Sequence, residues 1–248
     1  MVQIDHNQPL GTPTWMDLAV PDLAEAKKFY GAVFGWSFAE DERGTVCELR
    51  GLAVAGLREE TPGHGWEVHI ATDDCDGTVK RAVAAGGVVV REPHDVGQLC
   101  RVAVVTDPTG TRFGLWQGRS EPGCRLVNEP DTLVRNDLVT PTPGRARDFY
   151  TEVFDFTLDG NEEQLPGMDF TFLRRPDGHE IGGIFGTTEV DASSWSTNFA
   201  VASADETLVK VAAAGGTAGE LEDMPYARMG KVVDPFGNEF WVGSQPKA

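Results

Sequence analysis

The sequence predicts an α+β fold of four βαβββ units, each a strand and a helix followed by three strands, grouped as two tandem domains. The main observation is a repeat of two helix motifs 120 residues apart (149 − 29 and 153 − 33): Phe29-Tyr30 with Phe149-Tyr150, and Val33-Phe34 with Val153-Phe154. Two further landmarks recur in the same order: Trp66 with Trp195, and the turn Asp107-Pro108 with Asp234-Pro235. Landmarks kept in one order indicate that the second half repeats the first.

The first unit shows the pattern most clearly. Residues 14–20 alternate between apolar and polar side chains, which predicts a strand. Asp22 is a favourable N-cap, and Glu25 three residues later completes a capping-box pattern. Gly35 is expected to end the helix, because glycine adopts the left-handed conformation at low cost. Three short strands are then predicted over 36–41, 45–50 and 52–58.

The same order recurs in the other three units. Their opening strands are predicted over 66–72, 133–139 and 195–201. Their helices are expected to follow three N-caps, which are Asp74 or Asp76, Thr142 (with Pro143 as the first helical residue) and Ser203. The closing strands are predicted near 88–92, 98–106 and 112–117, near 156–160, 168–174 and 179–186, and near 217–221, 227–233 and 239–243.

The chain of 248 residues is long enough for two domains of ordinary size. We expect a polar and mobile N-terminal arm over 1–11 and a first domain over 12–118. A linker over 119–131 then leads to a second domain over 132–245.

The net charge of −18 excludes some classes of partner. A strongly acidic surface repels phosphate backbones and anionic lipids, so we expect neither nucleic acid nor membrane partners. The sequence has no run of 18 apolar residues and no signal-peptide pattern at its start. These features predict a cytoplasmic protein, with non-classical secretion as an open alternative.

The four cysteines lie at positions 47, 75, 100 and 124, without a C-x-x-C pair. This spacing does not favour a zinc knuckle, and we expect free, buried thiols. The sequence also lacks a phosphate-binding glycine loop and a G-x-S-x-G nucleophile motif.

The arrangement resembles the vicinal oxygen chelate superfamily, which includes glyoxalase I, extradiol dioxygenases and bleomycin-resistance proteins. The likeness rests on F-Y in the first helix and D-P-x-G before the last strand, and it covers about residues 12–245. It is strongest to tandem actinobacterial proteins of the mycobacterial secreted-antigen type, often labelled glyoxalase-like or hydroxylase. The shared runs are Gly11 to Trp36 and D-P-T-G…G-L-W at 107–116. The resemblance implies two glyoxalase-like domains with curved mixed sheets that enclose cavities.

Catalytic members of that superfamily hold a divalent metal, which the resemblance allows us to check. Their ligands are His, Gln or Glu at the start of each unit and Glu in the last strand. The matching positions here are Trp15, Glu67, Arg135 and Ser196 at the starts, and Gly114 and Trp241 in the closing strands. Only Glu67 is a suitable ligand. We therefore expect no metal cofactor, with a divalent metal on atypical ligands as the less favoured alternative.

Strand alternation predicts which other side chains share the cavity faces. We expect Asp17, Glu67 and His69 to form an acid–base group with catalytic potential. The candidate ligand-binding residues are Trp15, Arg112, Trp116, Arg135, Asp137, Asn198, Glu239 and Trp241. Structural alternatives stay open: His69 as a hydrogen-bonded link between units, Arg135 with Asp137 as a buried ion pair, and the tryptophans as core.

The sequence thus predicts a metal-independent protein that binds a small metabolite or antibiotic, either sequestering it or acting on it by acid–base chemistry. The alternative is a metal-dependent glyoxalase-type lyase or isomerase, or an oxygenase, with atypical ligands. An interaction protein with relic cavities is a third class. We expect a monomer with paired halves or a homodimer.

Overall fold

Two eight-stranded sheets, one in each half of the chain, form the frame of the molecule. A computed structural model describes residues 2–61, 63, 65–160 and 167–246. The α+β class and the two tandem domains are confirmed, and every predicted strand and helix is present within a few residues of its predicted bounds.

The first domain follows a short strand β1 (Val2–Gln3). Its elements are β2 (Pro13–Val20), α1 (Leu23–Phe34), β3 (Ser37–Asp41), β4 (Gly44–Leu49), β5 (Leu52–Glu59), β6 (Gly65–Ala71), α2 (Cys75–Ala84), β7 (Val88–Val96), β8 (Cys100–Thr106) and β9 (Arg112–Gly118). The sheet order is β3-β4-β5-β2-β6-β9-β8-β7, so the opening strands of both units lie side by side in its middle.

The second domain follows strand β10 (Leu126–Val127) of the linker. Its elements are β11 (Thr132–Thr140), α3 (Pro143–Phe154), β12 (Thr157–Gly160), β13 (Asp169–Arg174), β14 (Glu180–Gly186), β15 (Ser194–Ala200), α4 (Ala204–Ala213), β16 (Thr217–Asp223), β17 (Arg228–Val233) and β18 (Glu239–Ser244). The order β12-β13-β14-β11-β15-β18-β17-β16 repeats that of the first sheet.

The first strand of each domain has one parallel and one antiparallel neighbour. Strand β2 runs parallel to β5 and antiparallel to β6, and β11 has the same relation to β14 and β15. Each unit therefore contributes half of a sheet, and the two units share one concave face.

The helix N-caps bear out most of the capping predictions. Asp22 accepts a hydrogen bond from the Glu25 backbone N–H at 2.9 Å, and Asp74, rather than Asp76, caps α2. Ser203 accepts from the Glu206 N–H at 3.3 Å. Thr142 occupies the N-cap position of α3, but its side chain makes no capping hydrogen bond.

The N-terminal arm differs from its prediction, because it is docked against both domains. Met1 lies outside the described residues. Strand β1 pairs with β10, and Asn7 bonds the Thr72 carbonyl and the Gly118 N–H. Gly11 has a positive φ of 88° and lies against the Phe156 ring, where a Cβ would clash at 2.3 Å. The polar composition predicted mobility, but composition does not report these backbone pairings.

The two domains are joined by two reciprocal hydrogen bonds. The Tyr30 hydroxyl of α1 donates to Asp234 at 2.9 Å, and the Tyr150 hydroxyl of α3 donates to Asp107 at 3.0 Å. The two repeated sequence motifs, F-Y and D-P-x-G, therefore bind each other across the interface. Burial raises the pKa of both phenols well above its usual value, and the nearby carboxylates add to that effect. One apolar core continues through both halves.

The cysteine prediction is confirmed, since all four thiols are free and buried. Among the described residues, no helix is both long and apolar enough to cross a membrane. The cytoplasmic location and the oligomeric state stay predictions.

Candidate functional site

Each sheet has a core face and a concave face, set by strand alternation. In β2, Met16 and Leu18 point into the interdomain core, so Trp15 and Asp17 lie on the other side. The cross-strand pairs Trp15 with His69 and Asp17 with Glu67 bring the predicted residues of the first domain together. In the second domain, Asp137 pairs with Ser196 and Arg135 with Asn198.

One end of the first concave face is packed with apolar side chains. The rings of Trp15 and Trp116 stack with centroids 5.2 Å apart, and they are only 2% and 3% exposed. The linker covers them, because the Cys124 N–H bonds the Thr14 carbonyl at 2.7 Å and Cys124 joins this cluster. The two tryptophans therefore lie in a filled cluster beneath the linker.

The other end of this face carries charged side chains. The Arg58 Nε lies 2.7 Å from Oδ2 of Asp17, and its Nη2 lies 3.6 Å from Oε1 of Glu67. The Arg112 Nε donates to the other oxygen of Glu67. We name these four residues together with His69 the first-domain cluster. Arg58 was not among the predicted residues, because the parallel pairing of β5 with β2 cannot be read from local sequence.

Glu67 is held in its ionised form by this cluster. Burial acts to raise the pKa of Glu67, but the close contact with the His69 imidazole and the positive charges of Arg112 and Arg58 outweigh it and lower the pKa to about 2. The His69 Nε2 lies 3.3 Å from Oε1 of Glu67 without the alignment of a hydrogen bond. Within the described residues, neither ring nitrogen of this buried imidazole has a hydrogen-bond partner.

The concave face of the second domain has a different polar group. The Arg135 Nε donates to both oxygens of Asp137 at 2.9 and 2.8 Å, and its Nη1 donates to Glu180 at 2.6 Å. Arg135 and Asp137 thus form the ion pair that the sequence left open as an alternative, although their side chains are 31% and 18% exposed rather than fully buried. Glu180 is an addition that alternation over β14 could have supplied.

Aromatic rings line the rest of this second face. Phe170 and Phe172 each lie 5.7 Å from the Arg135 guanidinium, measured to the ring centroid. Phe172 lies in the same cross-strand row as Asp137, and Trp241 lies in the row of Arg135. Phe185 joins Phe170 at a centroid distance of 6.4 Å. All four rings are half-buried, whereas the tryptophan pair of the first domain is covered.

The remaining predicted residues are at the floor and the rim. Asn198 is buried, and its Nδ2 lies 3.4 Å from the Arg135 carbonyl, to which it donates. Glu239 is exposed and forms an ion pair with Lys231 at 2.7 Å. Glu239 therefore marks the edge of the face.

A cleft of about 560 Å³ opens between the N-terminal arm, the linker and the second domain. Arg135 and Glu180 line the cleft, so their ion pair lies where the cleft meets the second concave face. The arm also lines the cleft, with Gln8 and Pro9 among its residues there.

The positions that the resemblance matches to metal ligands include Trp15, Glu67, Gly114 and Arg135. Trp15 lies in the covered cluster, Arg135 is a cation, and Glu67 is already paired with two guanidinium groups. Gly114 leaves room for the His69 ring, because a Cβ at position 114 would lie only 2.1 Å from Nδ1 of His69. Across the described part of the chain, no three His, Cys, Asp or Glu side chains are grouped so that they could hold a metal ion.

Comparisons with known proteins agree with the repeat and the topology. The model of the Glyoxalase/Bleomycin resistance protein/Dioxygenase superfamily matches residues 12–115 and 132–242. CFP32 of Mycobacterium tuberculosis, whose name provisionally calls it a glyoxylase, is 36% identical over 247 residues, which covers 94% of each chain. DnrV of Streptomyces peucetius, named as an anthracycline biosynthesis protein, is 32% identical over 256 residues, which covers 94% of this chain and 92% of its own.

Solved structures share the fold at low sequence identity. The Mn(II)-bound glyoxalase from Novosphingobium aromaticivorans superimposes with a TM-score of 0.71 at 18% identity, covering 96% of this chain and 83% of that one. The 2,3-dioxygenase LapB from Pseudomonas sp. KL28 gives 0.66 at 17% identity, covering 96% and 94%. The family model, the relatives and the paired βαβββ units agree with the resemblance noted in the sequence. The chain therefore belongs to the Glyoxalase/Bleomycin resistance protein/Dioxygenase superfamily, with two tandem domains of that family.

Proposed function

We propose that this protein binds a small aromatic molecule on the concave face of its second domain and does so without a divalent metal. The observation that carries the proposal is a set of half-buried rings around one paired arginine. These residues, named here the second-domain face, are Arg135, Asp137, Phe170, Phe172, Phe185, Asn198 and Trp241.

The contrast between the two domains supports this choice of face. In the first domain, the rings of Trp15 and Trp116 stack on each other and the linker covers them. In the second domain, the phenylalanine rings and Trp241 keep part of their surface exposed to water. When a ligand covers half-exposed apolar rings in a concave site, the removal of apolar surface from water favours binding. Such rings are typical of small-molecule sites.

The charges of the second-domain face favour a ligand without a strong negative charge. The one guanidinium group of Arg135 is already matched by the carboxylates of Asp137 and Glu180. A planar ligand could stack on the phenylalanines or Trp241 and accept hydrogen bonds without displacing an ion. The name of the relative DnrV, an anthracycline biosynthesis protein, is in keeping with an aromatic ligand.

Sequestration has more support than acid–base chemistry at Asp17, Glu67 and His69. A carboxyl with a pKa of about 2 holds no proton near neutral pH, and Asp17 is bound to Arg58. The net charge of −18 also supports a small molecule rather than nucleic acid as the partner.

Metal analysis of protein purified without chelators tests the metal-independent part of the proposal. We expect less than stoichiometric zinc, nickel, manganese and iron, because the matching positions lack suitable donors. One metal ion per chain would contradict the proposal and favour the alternative, a metal-dependent glyoxalase-type lyase or isomerase, or an oxygenase.

Binding is tested by thermal-shift screening with aromatic metabolites, followed by titration of the best ligand. We expect Trp241→Leu to weaken binding of that ligand by about tenfold, because the ring stacking is lost while an apolar side chain remains. Tyr226→Leu serves as the matched control, since Tyr226 is 67% exposed and lies outside the second-domain face. If Trp241→Leu binds the ligand as tightly as the wild type does, the second-domain face is not the binding site.

A further inference from the structure

The first sheet has a groove that the linker fills. Strand β2 pairs with β5 only from Asp17 onward, so the first residues of these two strands are not paired with each other. The linker lies between them. The Cys124 N–H donates to the Thr14 carbonyl of β2 at 2.7 Å, and the Arg125 N–H donates to the Ala53 carbonyl of β5 at 2.7 Å. The main chain of the linker is therefore bonded to the beginnings of both strands.

The repeat identifies the matching groove of the second sheet. Asp17 pairs with Gly56 in the first sheet, and Asp137 pairs with Gly183 in the second, so the two pairs correspond. Counting back from these pairs along each strand gives the matching positions at the beginnings of the strands. The pairing of β11 with β14 begins only at Asn136, so the first residues of these strands are also not paired with each other.

The matching groove is open. Val134 takes the place of Thr14, and Glu180 takes the place of Ala53. The register of β11 with β15 passes over Val134, as that of β2 with β6 passes over Thr14. Val134 and Glu180 both line the cleft of about 560 Å³, and Val134 is 46% exposed. The place that the linker fills in the first domain is thus part of the cleft in the second.

The cleft is continuous with the second-domain face. Arg135 belongs to that face and also lines the cleft, so a ligand whose ring lies on the face can extend past Arg135 into the groove. The volume of the cleft is in the range of small-molecule sites. The charges along this path are matched, because Arg135 pairs with Asp137 and Glu180, and Arg175 pairs with Asp177. An uncharged extension therefore suits the cleft.

We propose that the ligand of the second domain is an aromatic ring system with a short, uncharged, amide-bearing chain, and that this chain occupies the groove beside Val134. The inference rests on the proposed function, because the ring must lie on the second-domain face. In the first domain the same groove holds an extended main chain that directs its N–H groups at strand carbonyls. An amide chain can donate to the carbonyls of Val134 and Glu180 in the same way, as an extended peptide does when it adds to a sheet.

The test compares three fluorescent probes by titration. Naphthamide supplies the ring alone, naphthoyl-glycylglycinamide adds the amide chain, and a third probe carries that chain with every amide nitrogen methylated. We expect the glycylglycinamide probe to bind the wild type at least about tenfold more tightly than naphthamide. Methylation removes the N–H donors, so the third probe is expected to lose this gain.

Two valine variants locate the chain. Val134→Trp fills the groove, so we expect the two unmethylated probes to bind this variant with similar affinity. Val209→Trp is the matched control, because it makes the same change on α4, where Val209 is 71% exposed, and it should keep the tenfold difference. Melting temperatures check that both variants fold. The methylated probe tests the same contact in the wild type, without any substitution.

The outcomes separate this inference from the proposed function. A gain in affinity that both methylation and Val134→Trp remove supports the inference. If naphthamide binds and the chain adds no affinity, or adds affinity that Val134→Trp keeps, the inference is contradicted while the proposed function stands. If Trp241→Leu binds both unmethylated probes as tightly as the wild type does, the second-domain face is not the site. If neither probe binds the wild type, both proposals are contradicted.

Discussion

Replacing Asp234 with alanine is expected to lower the free energy of unfolding by about 3 kcal/mol or more. Its carboxylate accepts hydrogen bonds from the Tyr30 hydroxyl, the Asn238 side chain and the backbone N–H groups of Phe236 and Asn238. Asp234 is 4% exposed, so water cannot easily replace it, and each buried donor left without a partner costs about 1–3 kcal/mol. For a chain of this size the loss corresponds to a fall in melting temperature of roughly 6–12 °C.

The measurement is urea and thermal unfolding of Asp234→Ala beside two other variants. Asp107→Ala removes the equivalent carboxylate on the other side of the interface and should cost a similar amount. Asp223→Ala removes an exposed carboxylate that pairs with Arg228, and it should cost less than about 1 kcal/mol. If Asp234→Ala is no less stable than Asp223→Ala, the reciprocal hydrogen bonds do not hold the domains together.

Acidification is expected to remove about 3 kcal/mol of stability through Glu67 alone. The pKa of Glu67 falls from its ordinary 4.5 to about 2 in the folded protein, and one pKa unit corresponds to about 1.4 kcal/mol. Because the folded-state value is the lower one, the stabilisation is fully present above pH 4.5 to 5. It is lost as the pH falls toward 2, where the folded state must also take up the proton.

The check is the free energy of unfolding of the wild type and Glu67→Gln between pH 7 and pH 2. The difference between the two proteins should shrink by about 3 kcal/mol as the pH falls from 5 to 2, since glutamine does not titrate. Asp76→Asn is the matched control: its carboxylate pairs with Arg101 on the exposed surface, where water and salt screen the pair, so a much smaller change is expected. A constant difference for Glu67→Gln would show that the cluster does not hold Glu67 ionised.

The strands, helices and their order could be predicted because their signals are local. The pattern of β2, the cap at Asp22 and the left-handed Gly35 lie within a few residues of one another. The cross-strand neighbours Asp17 and Glu67 could also be expected to share a face, since side chains alternate along paired strands.

The neighbours of those residues could not be predicted in the same way. Arg58 reaches Asp17 through the parallel pairing of β5, whose register depends on the whole sheet. Phe172 reaches the row of Asp137 through two strands, β13 and β14. The docking of the arm depends on β10, which lies more than 100 residues away in sequence.

The four repeated units, the two domains and the residue types at each cavity position follow from local sequence signals, including Trp15 and Arg135 where the resemblance places metal ligands. Which face is filled and which is open depends on how distant segments pack together. Trp15 is covered because the linker packs over it, whereas Trp241 keeps part of its surface in water. Only the tertiary structure placed the guanidinium of Arg58 between Asp17 and Glu67. Exposure and ion pairing depend on segments distant in sequence, and alternation along one strand carries no information about them.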